Sequence, residues 1–401
     1  MLSASKTSIP ETLLVLKQFN ISASFLVPTA TGIDKSIMDA HSSVRDWLSQ
    51  NELHDFDHQR QGQENKRLIP TIIISDQTVE TETSLYRPNT KSGDPRIWPK
   101  GLKKLCDEND LLVLICFQRQ LIVINATRCE VTTSLFQTHR ILRALIASLE
   151  GPKLDGENIA DELLQKLREV GRRGWIRTMR SGDTGIGYTL ETLLGIQANS
   201  NKAPDYKGIE LKSHRRGASS GRQVALFSQV PDWAVSRLKG KSKALLYERG
   251  RFSEEKQRLQ LFHEISCLKP NSYGMQLALI DAETNLLQFH VNSEDGRVTN
   301  DVQWAVDTLH TRMKEKHRET MWVSASTRGK GKEEHFNYEE VTHTSGYDQN
   351  ALTLLLDSGA MTVHYTITQK SNGSAKDQGY LFKLSPKYLP ALFESQKTFA
   401  I

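Results

Sequence analysis

The chain has 401 residues, 38% of them hydrophobic and 25% charged, with a formal net charge of +5. That balance excludes wholesale disorder and leaves room for two or three domains, each with its own core. Four cysteines (Cys106, Cys116, Cys129, Cys267) lie far apart without a CxxC pair, which speaks against a disulfide framework or a zinc site and suits a reducing cytoplasm.

The N-terminus lacks a basic start followed by a long apolar run, so no secretory leader is expected. "PETLLVLKQF" predicts a helix, "HDFDHQRQGQENKR" a polar loop and "LIPTIIIS" a strand. The most apolar stretch, "DLLVLICFQRQLIVINAT", is broken by Gln118, Arg119 and Gln120. Each arm is far short of the roughly 20 residues that span a bilayer, so two buried strands and a tight turn are predicted, and no membrane partner. Between them, "LYRPNTKSGDPRIWPKGLKK" sets Arg87, Lys91, Arg96, Lys100, Lys103 and Lys104 against Asp94, with Tyr86 and Trp98 interleaved. Such a mixture grips phosphates and stacks on bases, which makes Arg87, Arg96 and Trp98 candidate DNA contacts. A loop packed on its own tryptophan fits equally well, since residues 1–135 carry 15 basic and 16 acidic side chains.

"SLFQTHRILRALIASLEG" predicts a helix closed by glycine, and "ENIADELLQKLREVG" a second one after the turn "PKLDG". The boundary is placed in that turn: a mixed, β-rich N-terminal domain over 1–150, and a second domain over 151–401. Beyond it, "YTLETLLG" predicts a short helix, "GIELKS" a strand and "GMQLALIDAETNLLQFHV" a hairpin. "DVQWAVDTLHTRMKEK" predicts a helix, "ETMWVSASTRG" a strand and "STRGKGKEEHFNYEE" a basic loop. "QNALTLLLDSG" predicts a helix, and "AMTVHYTIT" and "GYLFKLS" strands.

Charge is distributed unevenly. Residues 166–222 hold 12 basic and five acidic side chains, a net +7 against −2 for the rest of the chain. A field concentrated in one segment suits a polyanionic partner. Within that segment, "PDYKGIELKSH" puts Glu210 and Lys212 on one face of a strand, with Ile209 and Leu211 on the other. Asp205 lies just upstream and Glu191 on the preceding short helix. Three acids and a lysine are what phosphodiester hydrolysis requires. Asp205 and Glu210 would bind Mg²⁺, Lys212 would orient water and stabilise charge on phosphorus, and Glu191 would assist. A surface salt bridge is the plain alternative.

The longer string "GDTGIGYTLETLLG…APDYKGIELKSH" resembles the MvaI/BcnI family of restriction endonucleases, PD-(D/E)xK enzymes related to the mismatch-repair nickase MutH. The resemblance spans roughly 157–401. It implies an α/β restriction-endonuclease-like core with catalytic and recognition lobes, in which Asp205, Glu210 and Lys212 are catalytic and Glu191 assists. It further implies Mg²⁺, double-stranded DNA as partner, a monomer in the catalytic part and a target of the CC(W or S)GG type. Arg215 and Arg216 suit phosphate contacts, and His214 shares the face of Lys212. In the recognition lobe, Arg328, Lys330, Lys332, His335 and Tyr338 are placed in a groove-entering loop, with His364, Tyr365 and Lys383 on late strands. The N-terminal domain is expected to bind DNA, as a second copy of the target that regulates cutting. A MutH-like nickase and a non-catalytic DNA-binding protein are the competing expectations.

Overall fold

Ile209 and Leu211 decide where the motif lies. In the computed structural model, which describes residues 4–149, 159–196, 204–216, 223–281 and 283–401, both side chains are buried with Met321, Val323 and Val341. The strand Glu210–Arg215 therefore forms an edge of a five-stranded sheet whose main path runs Phe393–Ala400, His335–Tyr347, Glu319–Arg328, Glu210–Arg215. It runs parallel to Glu319–Arg328, with Glu210 opposite Thr320, Lys212 opposite Trp322 and His214 opposite Ser324. The short strand Ile176–Arg177 pairs with His335 and Phe336. Helices Ile159–Gly171 and Gly185–Leu193 supply Leu163, Leu167, Ile186 and Leu190 to the core on the Leu211 face. Each such side chain contributes ~1.5–3 kcal/mol by leaving water.

The chain divides into two compact units, neither continuous in sequence. One comprises 1–151, 230–306 and 349–379; the other comprises 152–229, 307–348 and 380–401 and holds the sheet just described. In the first unit, a seven-stranded sheet runs in the order Ala23–Leu26, Leu112–Phe117, Gln120–Asn125, Arg67–Ile74, Thr78–Tyr86, Arg96–Pro99, Met38–Asp39. Its hairpin at 112–125 turns on Gln118 and Arg119, both at positive φ (50° and 61°), the backbone a two-residue hairpin demands even without Asn-Gly. Three antiparallel strands, Met275–Ile280, Asn285–Val291 and Val298–Ala305, form a further sheet of this unit. Helix Ala4–Gln18 packs on Gln349–Asp357. Among the described residues, no helix is long and apolar enough to cross a membrane.

The structure departs from the sequence expectations at three places. The helix expected over 301–316 starts only at Val306, because Val302 and Trp304 alternate inward as a strand. The expected basic loop at 326–340 is confined to 329–334. His335–Tyr347 is a strand that buries Phe336, Tyr338 and Val341 and turns its charged residues outward. The helix expected from 134 breaks at His139, which takes an extended conformation between Thr133–Thr138 and Arg140–Leu149. The turn "PKLDG" and the segment "GASSGR" after Arg216 lie outside the described residues.

Candidate active site

Glu210 is fully buried at the start of the edge strand. Its Oε1 faces two ammonium groups, Lys212 Nζ at 2.6 Å and Lys316 Nζ at 2.9 Å. Neither oxygen has a partner in hydrogen-bond geometry among the described residues, so Oε1 meets the two cations as ion pairs and Oε2 meets none. A buried carboxylate oxygen without a partner is costly, and two cations on its twin leave that oxygen available to a third. Asp205 turns toward the same strand, its Oδ2 accepting from the Leu211 amide at 3.1 Å. Burial, then the Glu210 carboxylate, raise the Asp205 pKa above its ordinary value, against the pull of the Leu211 amide, Lys212 and Lys316. Glu191, half-buried on helix Gly185–Leu193, is raised likewise by burial and then by Asp205, against Lys212. The three acids and Lys212 thus feel one another.

This donor set fits a hard divalent cation. Glu210 Oε2 and Asp205 are oxygen donors, the kind such a cation takes. Among the described residues no three His, Cys, Asp or Glu close around a metal by themselves, so water and phosphate must complete the shell, as Mg²⁺ commonly requires.

A cavity of about 290 Å³ opens beside the site, walled by Arg180, Asp183, Gly187, Glu191, Lys212 and Ser213 among others. Its shape depends on glycine: a Cβ on Gly185 would sit 2.2 Å from Arg180 O, so the loop closes there only without a side chain. Arg215 ties this loop down. Its guanidinium meets both Glu334 oxygens at 2.8 and 2.9 Å and donates to Asp183 O at 3.2 Å and Gly182 O at 3.0 Å. All of its hydrogen-bonding nitrogens are therefore engaged, whereas the sequence offered it as a phosphate contact. Arg216 is exposed and pairs with Glu339 at 3.0 Å.

Lys316 was not among the residues expected at the site. It ends helix Val306–Lys316, more than a hundred residues after Lys212, and reads as an ordinary basic helix terminus. Its neighbour His317 anchors it: fully buried, with Nε2 donating to Leu226 O at 2.8 Å, Nδ1 accepting from Thr320 at 3.0 Å, and the ring stacked on Trp322. Burial lowers its pKa to about 3, so the imidazole is neutral. His214 shares the Lys212 face, and its buried Nδ1 has no partner among the described residues.

The remaining candidates are scattered. Arg328 and Lys330 fall in the same unit as Glu210. Tyr338 is buried and donates to Ile186 O at 2.8 Å. His364 lies in the other unit, with Nε2 3.1 Å from Thr362 Oγ1. Lys383 sits opposite Ala225 across a strand pair. Arg87 spends its guanidinium on the carbonyls of Gly93, Phe56 and Gln59, closing its own loop. Arg96 and Trp98 lie on a strand, and Trp98 packs on the N-terminal core.

Comparison with known proteins places this geometry. The family model of the MvaI/BcnI restriction endonucleases matches residues 164–393. The chain belongs to the MvaI/BcnI restriction endonuclease family. It is accordingly a DNA endonuclease, a site-specific deoxyribonuclease. Among solved structures it is similar to the restriction endonuclease MvaI in complex with cognate DNA substrate. The identity is 22% and the TM-score 0.52, covering 61% of this chain and 99% of that one. It is also similar to MvaI without DNA (21% identity, TM-score 0.39, the same coverage). The first of these likenesses carries the fold, a PD-(D/E)xK-type α/β architecture. No curated protein sequence matches the chain. The MvaI/BcnI match leaves the first 163 residues uncovered.

Proposed function

We propose that the chain is a Mg²⁺-dependent type II restriction endonuclease that cuts both strands of duplex DNA at a short site of the CC(W or S)GG type. The observation that carries this is Glu210: buried, with one oxygen on two lysines and the other unpartnered. Glu210 and Asp205 would hold the cation, which when bound supplies charge neutralisation at phosphate and a more acidic water. Lys212 positions the attacking water and stabilises the charge that grows on the phosphate oxygens. Lys316 shares Glu210 with Lys212 and sets a second cation against that buried carboxylate. Glu191 borders the cavity and accepts hydrogen bonds from water entering it.

In this proposal the unit holding 152–229, 307–348 and 380–401 is catalytic. Arg216, Arg328 and Lys330 meet phosphate, and His364 and Lys383 lie on base-reading strands. Residues 1–150 take a second, uncut copy of the target and relieve inhibition of a catalytic part that acts as a monomer in a cytoplasmic setting.

The test is incubation of plasmid with the full chain and Mg²⁺, an EDTA control, and mapping of the ends. Fixed-length fragments lost on Lys212→Ala support the proposal. Persistent single-strand nicks point to a MutH-like nickase, and binding without cutting to a non-catalytic protein. Stimulation by a short uncut duplex in trans tests the N-terminal role.

A further inference from the structure

A basic and aromatic face, of which Arg328 is one part, lies beside the site. The segment 172–180 runs alongside the turn 329–334: Thr178 N donates to Glu334 O at 2.8 Å, and Arg177 Nε donates to Lys332 O at 3.2 Å. Arg172, Arg173 and Arg328 are exposed and pair with no carboxylate among the described residues. Trp175 keeps 39% of its surface in water although it is an indole, and Arg328 stacks on it at 4.5 Å. That contact orients the guanidinium without neutralising it. Glu169, at the end of the preceding helix, is the nearest acid upstream in the sequence and forms no ion pair with these arginines among the described residues. No acid occurs between Gly171 and Gly182, and the two in the turn are engaged, Glu333 with Arg177 and Glu334 with Arg215.

The face is continuous with the active site through Arg180, which walls the cavity with Glu191 and Lys212. Trp175 lies five positions before Arg180, so their Cα atoms are within about 18 Å of each other. At about 3.4 Å per base step, that is some five base pairs of duplex. Resting on the nuclease function proposed above, we propose that this face binds the phosphates of the duplex outside the recognition site, with Arg172, Arg173 and Arg328 as contacts and Trp175 as the platform that orients Arg328. It is a sequence-independent grip on flanking DNA. It lengthens the footprint without adding specificity.

The experiment compares the full chain with Arg172→Gln/Arg173→Gln/Arg328→Gln and with the same three positions changed to Lys. Binding is measured by fluorescence anisotropy in EDTA across a salt series. The probes are duplexes with about 3 or about 14 base pairs beyond the mapped cut on either side. On the long probe the Gln variant is expected to lose about 0.9 from the slope of log K against log salt for each contact removed. The Lys variant keeps the slope, and the short probe shows a smaller difference. Trp175→Ala weakens long-probe binding less than the triple change. Equal slopes for wild type and the Gln variant on the long probe, with both folded by thermal melt, overturn the proposal. Failure of the wild-type chain to bind or cut any duplex is a different result and removes the nuclease function itself.

Discussion

Lys316 Nζ lies 2.9 Å from Glu210 Oε1, the atom that Lys212 Nζ meets at 2.6 Å. Two ammoniums on one buried oxygen fix the rotamer of Glu210 and aim its free oxygen. Replacing Lys316 by Met removes one of them and leaves Glu210 partly uncompensated. We expect the single-turnover cleavage rate to fall by about 10²-fold, the usual effect of removing one preorganised donor, with a higher Mg²⁺ requirement. Lys316→Arg restores charge but not the point geometry and is expected to recover only part of the rate. Rapid-quench cleavage over a Mg²⁺ series reads both.

Arg215 and Glu334 form a clamp beside the candidate site. Arg215→Met leaves the largely buried Glu334 unpaired, a change that costs about 3–5 kcal/mol, and frees the carbonyls of Gly182 and Asp183. The double change Arg215→Met/Glu334→Met removes the unpaired charge, so thermal stability recovers in part. The loop before the Glu191 helix stays untied. Expected is a kcat at least tenfold low in both variants, with KM for DNA little changed. Recovery of kcat along with stability would show that the clamp serves the fold alone.

The edge strand and the short helix before it were legible because their signal is local. Ile209, Glu210, Leu211 and Lys212 alternate within four residues, and Glu191 sits on a helix bounded by glycines. Lys316, His317 and Glu334 were not legible: each meets the site through the tertiary fold, and nothing in "MKEKHRE" or "GKEEHF" distinguishes it from a solvated charge run. Arg215 misled for the related reason that exposure cannot be read from residue type. The strand His335–Tyr347 was missed because its polar residues outnumber Phe336, Tyr338 and Val341, which alone face the core.

His317 makes stability pH-dependent. Its folded pKa, about 3, lies below the ordinary 6.5, so the unfolded chain binds a proton that the folded chain does not. The stability it contributes is fully present above pH 6.5 and is lost as pH falls toward 3, by at most ~1.4 kcal/mol per pH unit. His317→Gln keeps one hydrogen bond and cannot ionise. Denaturant midpoints measured from pH 7.5 to 4.5 are expected to fall less steeply in the variant, although it is the less stable protein at pH 7.5. Parallel profiles would contradict this.

Asp205 and Glu191 act in the opposite sense. Their raised pKa values mean that the folded, metal-free chain holds protons the unfolded chain has lost. Their contribution favours the fold at low pH and is lost as pH rises through the folded values. A cation bound to the ionised carboxylates reverses that loss. Apparent Mg²⁺ affinity is therefore expected to weaken on acidification from a pH above the ordinary carboxylate value near 4. Asp205→Asn is expected to flatten the dependence. Isothermal titration of the DNA-free protein at several pH values measures it.

The most direct test of the central claim is single-turnover cleavage of an end-labelled duplex carrying the mapped site, with Mg²⁺, by wild type and Glu210→Gln. The substitution is isosteric and keeps the strand, but Glu210 loses the charge that holds two lysines and offers an oxygen to the cation. We expect the wild type to cut at one fixed position on each strand and Glu210→Gln to be slower by at least about 10³-fold, with DNA binding retained. Cutting by Glu210→Gln at the wild-type rate and position would contradict the assignment of this carboxylate as the centre of the active site.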